Sequence, residues 1–394
     1  SRGLGDVYKR QIQNWLDTHN WPSPAESSPV APEKKKKFPL IPVMNNYDCQ
    51  LPDAFWKEFP FNPLPTKPKT KIDVICLEEK INNCKHLLLS QEFARAKKCI
   101  NYLRFGAPSF QKNQLPACVV KNSKTALGLG SAVSDVIATW VSKGYVAGPF
   151  KTPPVANFRS NSLLAVSQPG KTRVCLNVSL PTGKSLNDNI SKEKLEKVRM
   201  TSARKFGYSI LEAGKNSTIL KFDKADAYKN VPAKVKDFRL QGFSWGGKYF
   251  IETQQSFGAI ASVQNFDILG NTVKTTVLSE CLIPKKLVHR QLDDTPAVAP
   301  EGTGWCEEFS SKYKAFCKDI NLELAVECPN FEKAFDCSQF GKVLGIFFDT
   351  RNLSWKLPKD KIESTLSLVA EITRSDSVNL HTCLLYTSDA ADDS

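Results

Sequence analysis

The chain has 394 residues, 41% of them hydrophobic, with 54 Lys plus Arg against 40 Asp plus Glu and a formal charge of +14. That length supports two or three packed units, and its twelve Cys (none in a CxxC pair) and four dispersed His exclude zinc-finger spacing and read as reduced core thiols. Without a bilayer-length apolar run or a leader-like start, no membrane partner is expected, the setting is cytoplasmic or nuclear, and the basic balance favours nucleic acid as partner.

Residues 1–11 (SRGLGDVYKRQ) and 384–394 (LLYTSDAADDS) resemble translated library-adaptor sequence, so the natural protein is expected to continue beyond both. Residues 12–72 read mostly as a disordered linker, Pro/Ser/Ala-rich over 23–37 with lysines at 34–37, and basic and extended over 63–71 (PLPTKPKTK). Residues 73–127 form an N-terminal helical extension, in which 73–103 lacks Gly and Pro and is predicted helical. Over 131–143, Val133, Val136, Ile137, Trp140 and Val141 fall at helical spacing and Gly144 stops the helix. Residues 163–166 and 173–177 flank Gln168-Pro169-Gly170 as a β-hairpin. A basic helix over 191–213 is followed by a short buried strand over 218–222 (TILKF). A second hairpin turns at Trp245-Gly246-Gly247, between residues 239–243 and 248–253. Residues 256–269 are predicted helical, and 287–298 read as a hairpin carrying Leu292-Asp293-Asp294. A helix over 307–320, strands over 322–326 and 342–348, and a helix over 358–374 complete the pattern. The mixture predicts an α+β fold with an antiparallel sheet.

Two carboxylate features carry chemistry. Asp223 directly follows the apolar strand, where a side chain can be held rigidly at the rim of a cleft; taken alone it reads rather as a helix N-cap. Asp293 and Asp294 sit side by side in an apolar hairpin, so they need either a compensating cation or a water-exposed turn. An Asp-Asp pair alone means little, since Asp392-Asp393 supplies another in the adaptor-like tail. Paired with Asp223, the set has the composition to hold two Mg²⁺ (or Mn²⁺) ions about 4 Å apart for in-line nucleotidyl transfer.

The order of motifs resembles the reverse transcriptases. Residues 222–232 (FDKADAYKNVP), 256–262 (SFGAIAS) and 291–295 (QLDDT) are similar to their three catalytic motifs. The flanking text is most similar to DIRS-like, tyrosine-recombinase retroelements, through Gly148-Pro149-Phe150, Asn157-Phe158-Arg159, Gly170-Lys171-Thr172-Arg173, Ser185-Leu186-Asn187-Asp188 and residues 343–350 (VLGIFFDT), and covers about residues 144–361. The resemblance implies a right-hand polymerase: fingers and the start of the palm over 128–222, palm over 223–357, and the start of a truncated thumb over 358–383. It implies an RNA-directed DNA polymerase that works on an RNA template, a DNA primer or RNA–DNA hybrid, and deoxynucleoside triphosphates.

By the same resemblance, Asp223 and Asp293 would be metal ligands, with Asp294 as second acid and the Lys224 carbonyl also within reach. Lys171 and Arg173 would clamp the triphosphate, a task that suits the Arg fork. Asp226 and Ala227 would offer backbone N–H groups, and Tyr228 would lie under the deoxyribose and exclude a 2′-hydroxyl. Phe257, Gly258 and Ser262 would shape the nucleotide pocket, residues 348–358 would form the primer-grip hairpin, and Lys333 would protonate pyrophosphate. Without the resemblance, Lys171 and Arg173 read as exposed hairpin charges and Tyr228 as a core aromatic. Three departures stand out: Gln291-Leu292 where retroviral enzymes place Tyr two residues before the acidic pair, Phe257 where they favour Gln, and Pro296 just after the pair. Two other readings remain: a catalytically decayed nucleic-acid-binding remnant, against which the intact carboxylates speak, and an RNA-directed RNA polymerase, against which Tyr228 speaks.

Overall fold

The computed structural model describes residues 51, 53–168 and 170–374; the adaptor-like ends and the lysines at 34–37 lie outside the described residues. In chain order the main elements are α1 (Asp53–Glu58), α2 (Val74–Asn83), α3 (Ser90–Phe105), β1 (Cys118–Val119), α4 (Lys124–Gly128), α5 (Gly130–Ser142), β2 (Val146–Phe150), β3 (Arg159–Gln168), β4 (Lys171–Asn177), α6 (Ala203–Ala213), β5 (Thr218–Asp223), β6 (Gly242–Trp245), β7 (Lys248–Glu252), α7 (Ile260–Leu278), β8 (Asp294–Ala299), α8 (Trp305–Asp319), β9 (Phe335–Ser338), β10 (Phe340–Val343), β11 (Ile346–Asp349), β12 (Ser354–Lys356) and α9 (Lys359–Arg374).

Among the described residues the strands form three sheets. The largest runs β1-β3-β6-β7-β2 with β4 paired to β3, and is mixed, because β1/β3 and β3/β6 are parallel. The sheet that carries the acidic motifs, β8-β5-β9, is antiparallel throughout, and so is β10-β11-β12. The fold is therefore α+β as expected, with an antiparallel sheet at the acidic motifs and a mixed sheet beside it. None of the described helices is long and apolar enough to cross a membrane.

The six-stranded sheet and the β8-β5-β9 sheet each have their own apolar core. One core gathers β5, β8 and β9 with α2, α3, α6, α7 and α8; the other fills the space between α5 and the six-stranded sheet. At the centre of the first, Phe222 stacks flat on Tyr313 of α8 (ring centroids 4.8 Å apart, planes 2° apart), with Phe309 at 6.2 Å. Burial on both faces explains why β5 reads as a nearly continuous apolar run.

Several elements differ from expectation. Residues 51–72 are not wholly linker: α1 is helical, Trp56 and Phe59 pack near Phe250, and Asn62 pairs with Gly148. The helix expected over 73–103 breaks into α2 and α3 around a 3-10 turn at Lys85–Leu87. The basic helix begins only at Ala203, where the Ser202 hydroxyl accepts from the Lys205 N–H. α7 starts at Ile260 and runs to Leu278, buried on nearly all sides, so no amphipathic stripe marks its end. Residues 322–326 make no strand, only a bridge between Lys224 and Leu324. Residues 342–348 split into β10 and β11, because Leu344 (φ 50°) and Gly345 (φ 81°) turn the chain.

Phe309 is fully buried against Phe222 and Tyr313. Phe309→Ala is expected to destabilise the fold by about 3–5 kcal/mol, the usual range for an aromatic cavity. Urea unfolding checks this, and a loss below about 1 kcal/mol would mean that this core does not hold the β5 sheet together.

Candidate active site

The antiparallel register sets Asp223, the last residue of β5, directly opposite Asp294, the first of β8. Opposed residues in an antiparallel pair share a face, so both carboxylates leave the sheet on the same side. Asp293 occupies the two-residue turn before β8, closed by reciprocal backbone hydrogen bonds of 2.9 Å between Gln291 and Asp294. The hairpin expected around the acidic pair is thus present, and it brings Asp223, Asp293 and Asp294 together.

Crowding and burial perturb this group. Burial, and then the charge of Asp223, raise Asp293 above the usual carboxylate range. Burial pushes Asp294 up to about 6, with Lys221 pulling it down and Asp293 and Asp223 adding repulsion. Lys221 lies two residues before Asp223, on the same strand face, and its Nζ donates to the Glu332 carbonyl at 2.9 Å. Lys224 turns inward: its buried Nζ donates to the Asp293 carbonyl (3.1 Å) and to the Thr295 hydroxyl (2.8 Å), and burial lowers it to about 8. The bridge from this segment to residues 323–325 uses the Asp223 carbonyl and the Ala225 N–H, not the Lys224 carbonyl. From the solvent side, the Lys333 ammonium reaches to 3.2 Å from Asp223.

Among the described residues, no three His, Cys, Asp or Glu side chains are gathered into an all-protein metal cage. Mg²⁺ does not require one, since it commonly binds through one or two carboxylates and completes its octahedron with water and substrate phosphate. Crowded, partly buried carboxylates of raised pKa are a donor set that such an ion would relieve, so the residues fit the implied metal.

The other expected residues fall into three groups. Tyr228 and Phe257 meet edge-to-face (4.8 Å), with Phe266 behind Tyr228 at 5.6 Å; burial and the charge of Asp293 raise the Tyr228 phenol. Asp226 has left-handed backbone (φ 50°), and the carbonyls of Ala225, Asp226 and Ala227 converge on the Asn230 amide. The Asp226 carboxylate is drawn away to Lys143 (2.7 Å) and Tyr145 (2.9 Å); burial raises it, and those two hydrogen bonds bring it below the usual value. Gly258 (φ 101°) touches β4 so closely that a Cβ would stand 2.5 Å from the Leu176 carbonyl oxygen. Ser262 is placed differently from expectation: it is buried, and its hydroxyl faces Gln255 at 3.4 Å rather than an open pocket. Lys171 and Arg173 are exposed near the tip of the β3–β4 hairpin. A strand rise of about 3.4 Å per residue puts Lys171 roughly 17 Å from the Gly258 contact. They are therefore presented to solvent, not joined to the carboxylates.

Some supporting groups escaped the sequence. Arg290, buried, pairs with Asp267 of α7 and donates to the Leu292 carbonyl at 3.1 Å, while Arg95 of α3 holds the same Asp267 at 2.6 Å. Lys229 and Glu252 form a fully buried pair between the first motif and β7. No local pattern announces such pairs; only Lys221, a lysine inside an apolar strand, carried a visible signal.

The folded-state value of Asp294 lies above that of an unfolded Asp, so the native state holds more protons between about pH 4 and 6, and stability falls as pH rises through that window. Asp294→Asn removes the penalty. The variant is expected to be more stable than the parent by about 1–3 kcal/mol near pH 7.5 and to lose that advantage near pH 4. Urea titrations at the two pH values check this, and a pH-independent difference would rule out a strained carboxylate here.

No family model matches the chain, and no curated protein does. Among solved structures it is similar to the foamy viral protease–reverse transcriptase dRH in complex with double-stranded DNA (TM-score 0.48, 14% identity, covering 79% of this chain and 51% of that one). It is also similar to the foamy viral protease–reverse transcriptase in complex with an RNA/DNA hybrid (0.48, 15%, 80% and 40%) and to the native protease–reverse transcriptase of prototype foamy virus (0.45, 15%, 84% and 43%). The chain spans about half or less of the length of each.

Proposed function

We propose that this chain is the fingers-and-palm core of an RNA-directed DNA polymerase from a DIRS-like retrotransposon, extending a primer 3′-hydroxyl with deoxynucleotides on an RNA template inside the cell. The observation that carries the reading is the register that opposes Asp223 to Asp294, with Asp293 in the adjoining turn. Asp223 and Asp293, with Asp294 and the Lys224 carbonyl beside them, would hold two Mg²⁺ or Mn²⁺ ions. When bound, such ions acidify the attacking hydroxyl and screen the triphosphate charge.

The chain's own groups would do the remaining work. Lys171 and Arg173, exposed on their hairpin, would close on the triphosphate as charge-assisted donors. Asp226 and Ala227 would present N–H groups from a loop whose carbonyls are drawn to Asn230. Tyr228, braced by Phe257 and Phe266, would form a flat floor under the sugar with no room for a 2′-hydroxyl. Lys333 would give a proton to the departing pyrophosphate from its place beside Asp223.

Primer extension by the purified chain on an RNA template with deoxynucleotides and Mg²⁺ tests the proposal. Extension is expected for the parent and a loss of at least about 10³-fold for Asp293→Asn/Asp294→Asn, in line with removal of a principal charge-stabilising group. Extension that survives the double substitution would rule out this site. Binding of RNA with no extension by either protein would favour the decayed remnant.

Tyr228→Ala is expected to cut discrimination against ribonucleotides by about tenfold or more, a loss of roughly 1.4 kcal/mol of selectivity. Competition between deoxy- and ribonucleotides in the same assay measures it. Unchanged selectivity would remove Tyr228 from the sugar pocket.

A further inference from the structure

Behind the acidic hairpin, between α3, α7 and the segment leading into α6, lies an open polar cleft of about 560 Å³. Asp223, Asp293 and Asp294 are not among the residues that line it. Its lining includes Lys197, Arg199, Lys205 and Lys274, and on its floor the Asp267–Arg290 pair that supports the Leu292 turn. Lys197, Arg199 and Lys205 are exposed and enter no ion pair among the described residues. Other cations at the cleft are already matched: Lys285 by Glu92, and Lys286 by Glu212.

Lys274 is the more telling group. Its ammonium has three protons to donate, yet its one hydrogen bond among the described residues is a long one, 3.4 Å to the Val288 carbonyl. Burial pulls its pKa down, with the charge of Lys285 adding to the fall against that of Glu92. Beside it His289 is held neutral, lowered to about 4 by burial and by Lys274 and Lys205, with both ring nitrogens engaged by Thr201 (2.9 Å) and Ser209 (2.8 Å). Burial first, and then the charges of Lys274 and Lys205, keep a proton off this imidazole, and an under-satisfied ammonium lines the cleft beside it.

We propose that this cleft is a second phosphate-binding site, which takes the backbone of a nucleic-acid strand away from the acidic hairpin. The phosphate chemistry follows from the cations. The choice of a strand rests on the proposed function and on the chain's charge of +14. Lys197, Arg199 and Lys205 contact phosphates along the rim, and Lys274 donates to one that enters the cleft. Because the floor includes Arg290, strand binding there bears on the support of the acidic turn.

Fluorescence anisotropy with a labelled single-stranded RNA or DNA, without nucleotide or divalent cation, tests this independently of catalysis. Lys197→Glu/Arg199→Glu/Lys205→Glu is expected to weaken binding at least about tenfold and to lower the salt slope by about 2, the value for three single-strand phosphate contacts. The control Lys57→Glu/Lys67→Glu/Lys236→Glu, three other exposed lysines and the same change in net charge, is expected to lose less than about threefold. On the unaltered chain, the strand should protect Lys197, Lys205 and Lys274 from acetylation. Equal losses in the two triple variants, or no protection of those lysines, would overturn the site. Protection by inositol hexakisphosphate but not by a strand would overturn the choice of occupant. Either result can arise with primer extension intact, and primer extension can fail with this site intact, so the two proposals are separable.

Discussion

Three carboxylates held within one strand pair and its turn repel one another, and much of the surrounding structure offsets that repulsion. In water they would separate; here the β5–β8 register fixes two of them opposite each other, and burial deepens the penalty. Lys221 supplies positive charge on the same face, and Lys224 anchors the strand beneath through Asp293 and Thr295. Both lysines are themselves buried and lowered, so each sign offsets part of the desolvation of the other. Lys333 adds an exposed ammonium 3.2 Å from Asp223.

The second constraint is the union of two cores. The residues proposed to bind nucleotide come from both, and a binding constellation has to be held to within about 0.5 Å. Three contacts fix the joint. Gly258 admits the Leu176 carbonyl of β4, which no side chain would allow. Lys229 and Glu252 form a buried ion pair between the loop after β5 and β7, with the ammonium 4.9 Å over the Trp140 ring. Lys143 and Tyr145 hold Asp226 from the far end of α5. As a buried pair, Lys229–Glu252 is a weak source of net stability, but it is strongly directional, and direction is what a joint requires. The tip of the β3–β4 hairpin, with Lys171 and Arg173 exposed on it, takes no part in these three contacts.

Elements with local punctuation were legible in the sequence. β5 shows an apolar run, α5 a clear period ended by Gly144, and the two hairpins Gly-containing turns. The acidic hairpin was legible because Asp-Asp lay between apolar stretches. What stayed hidden depends on distant partners. α7 lost its periodicity by being buried on nearly all sides, and residues 53–64 looked like a linker although Trp56 and Phe59 cover Phe250, nearly two hundred residues away. Asp267, Arg95 and Arg290 come from three segments, so their network exists only in the fold. Ser262 matched a motif but not its expected placement, because a helix start turns one side inward and its hydroxyl went with that side.

The departure at Gln291-Leu292 follows from the geometry of the turn. Gln291 serves through its backbone, which exchanges two hydrogen bonds with Asp294. Leu292 adopts φ 52°, a conformation that disfavours a side-chain-bearing residue by about 1–2 kcal/mol, so something outside the turn must hold it. That something is Arg290, which grips the Leu292 carbonyl and is itself clamped by Asp267. Gly270 gives it room: a Cβ there would stand 3.0 Å from the Arg290 guanidinium, which would have to give by a few tenths of an ångström. The side chains at 291 and 292 can therefore differ from the retroviral pattern without moving the carboxylates. The positions that cannot differ freely are the ones that brace the turn from behind, at 267, 270 and 290.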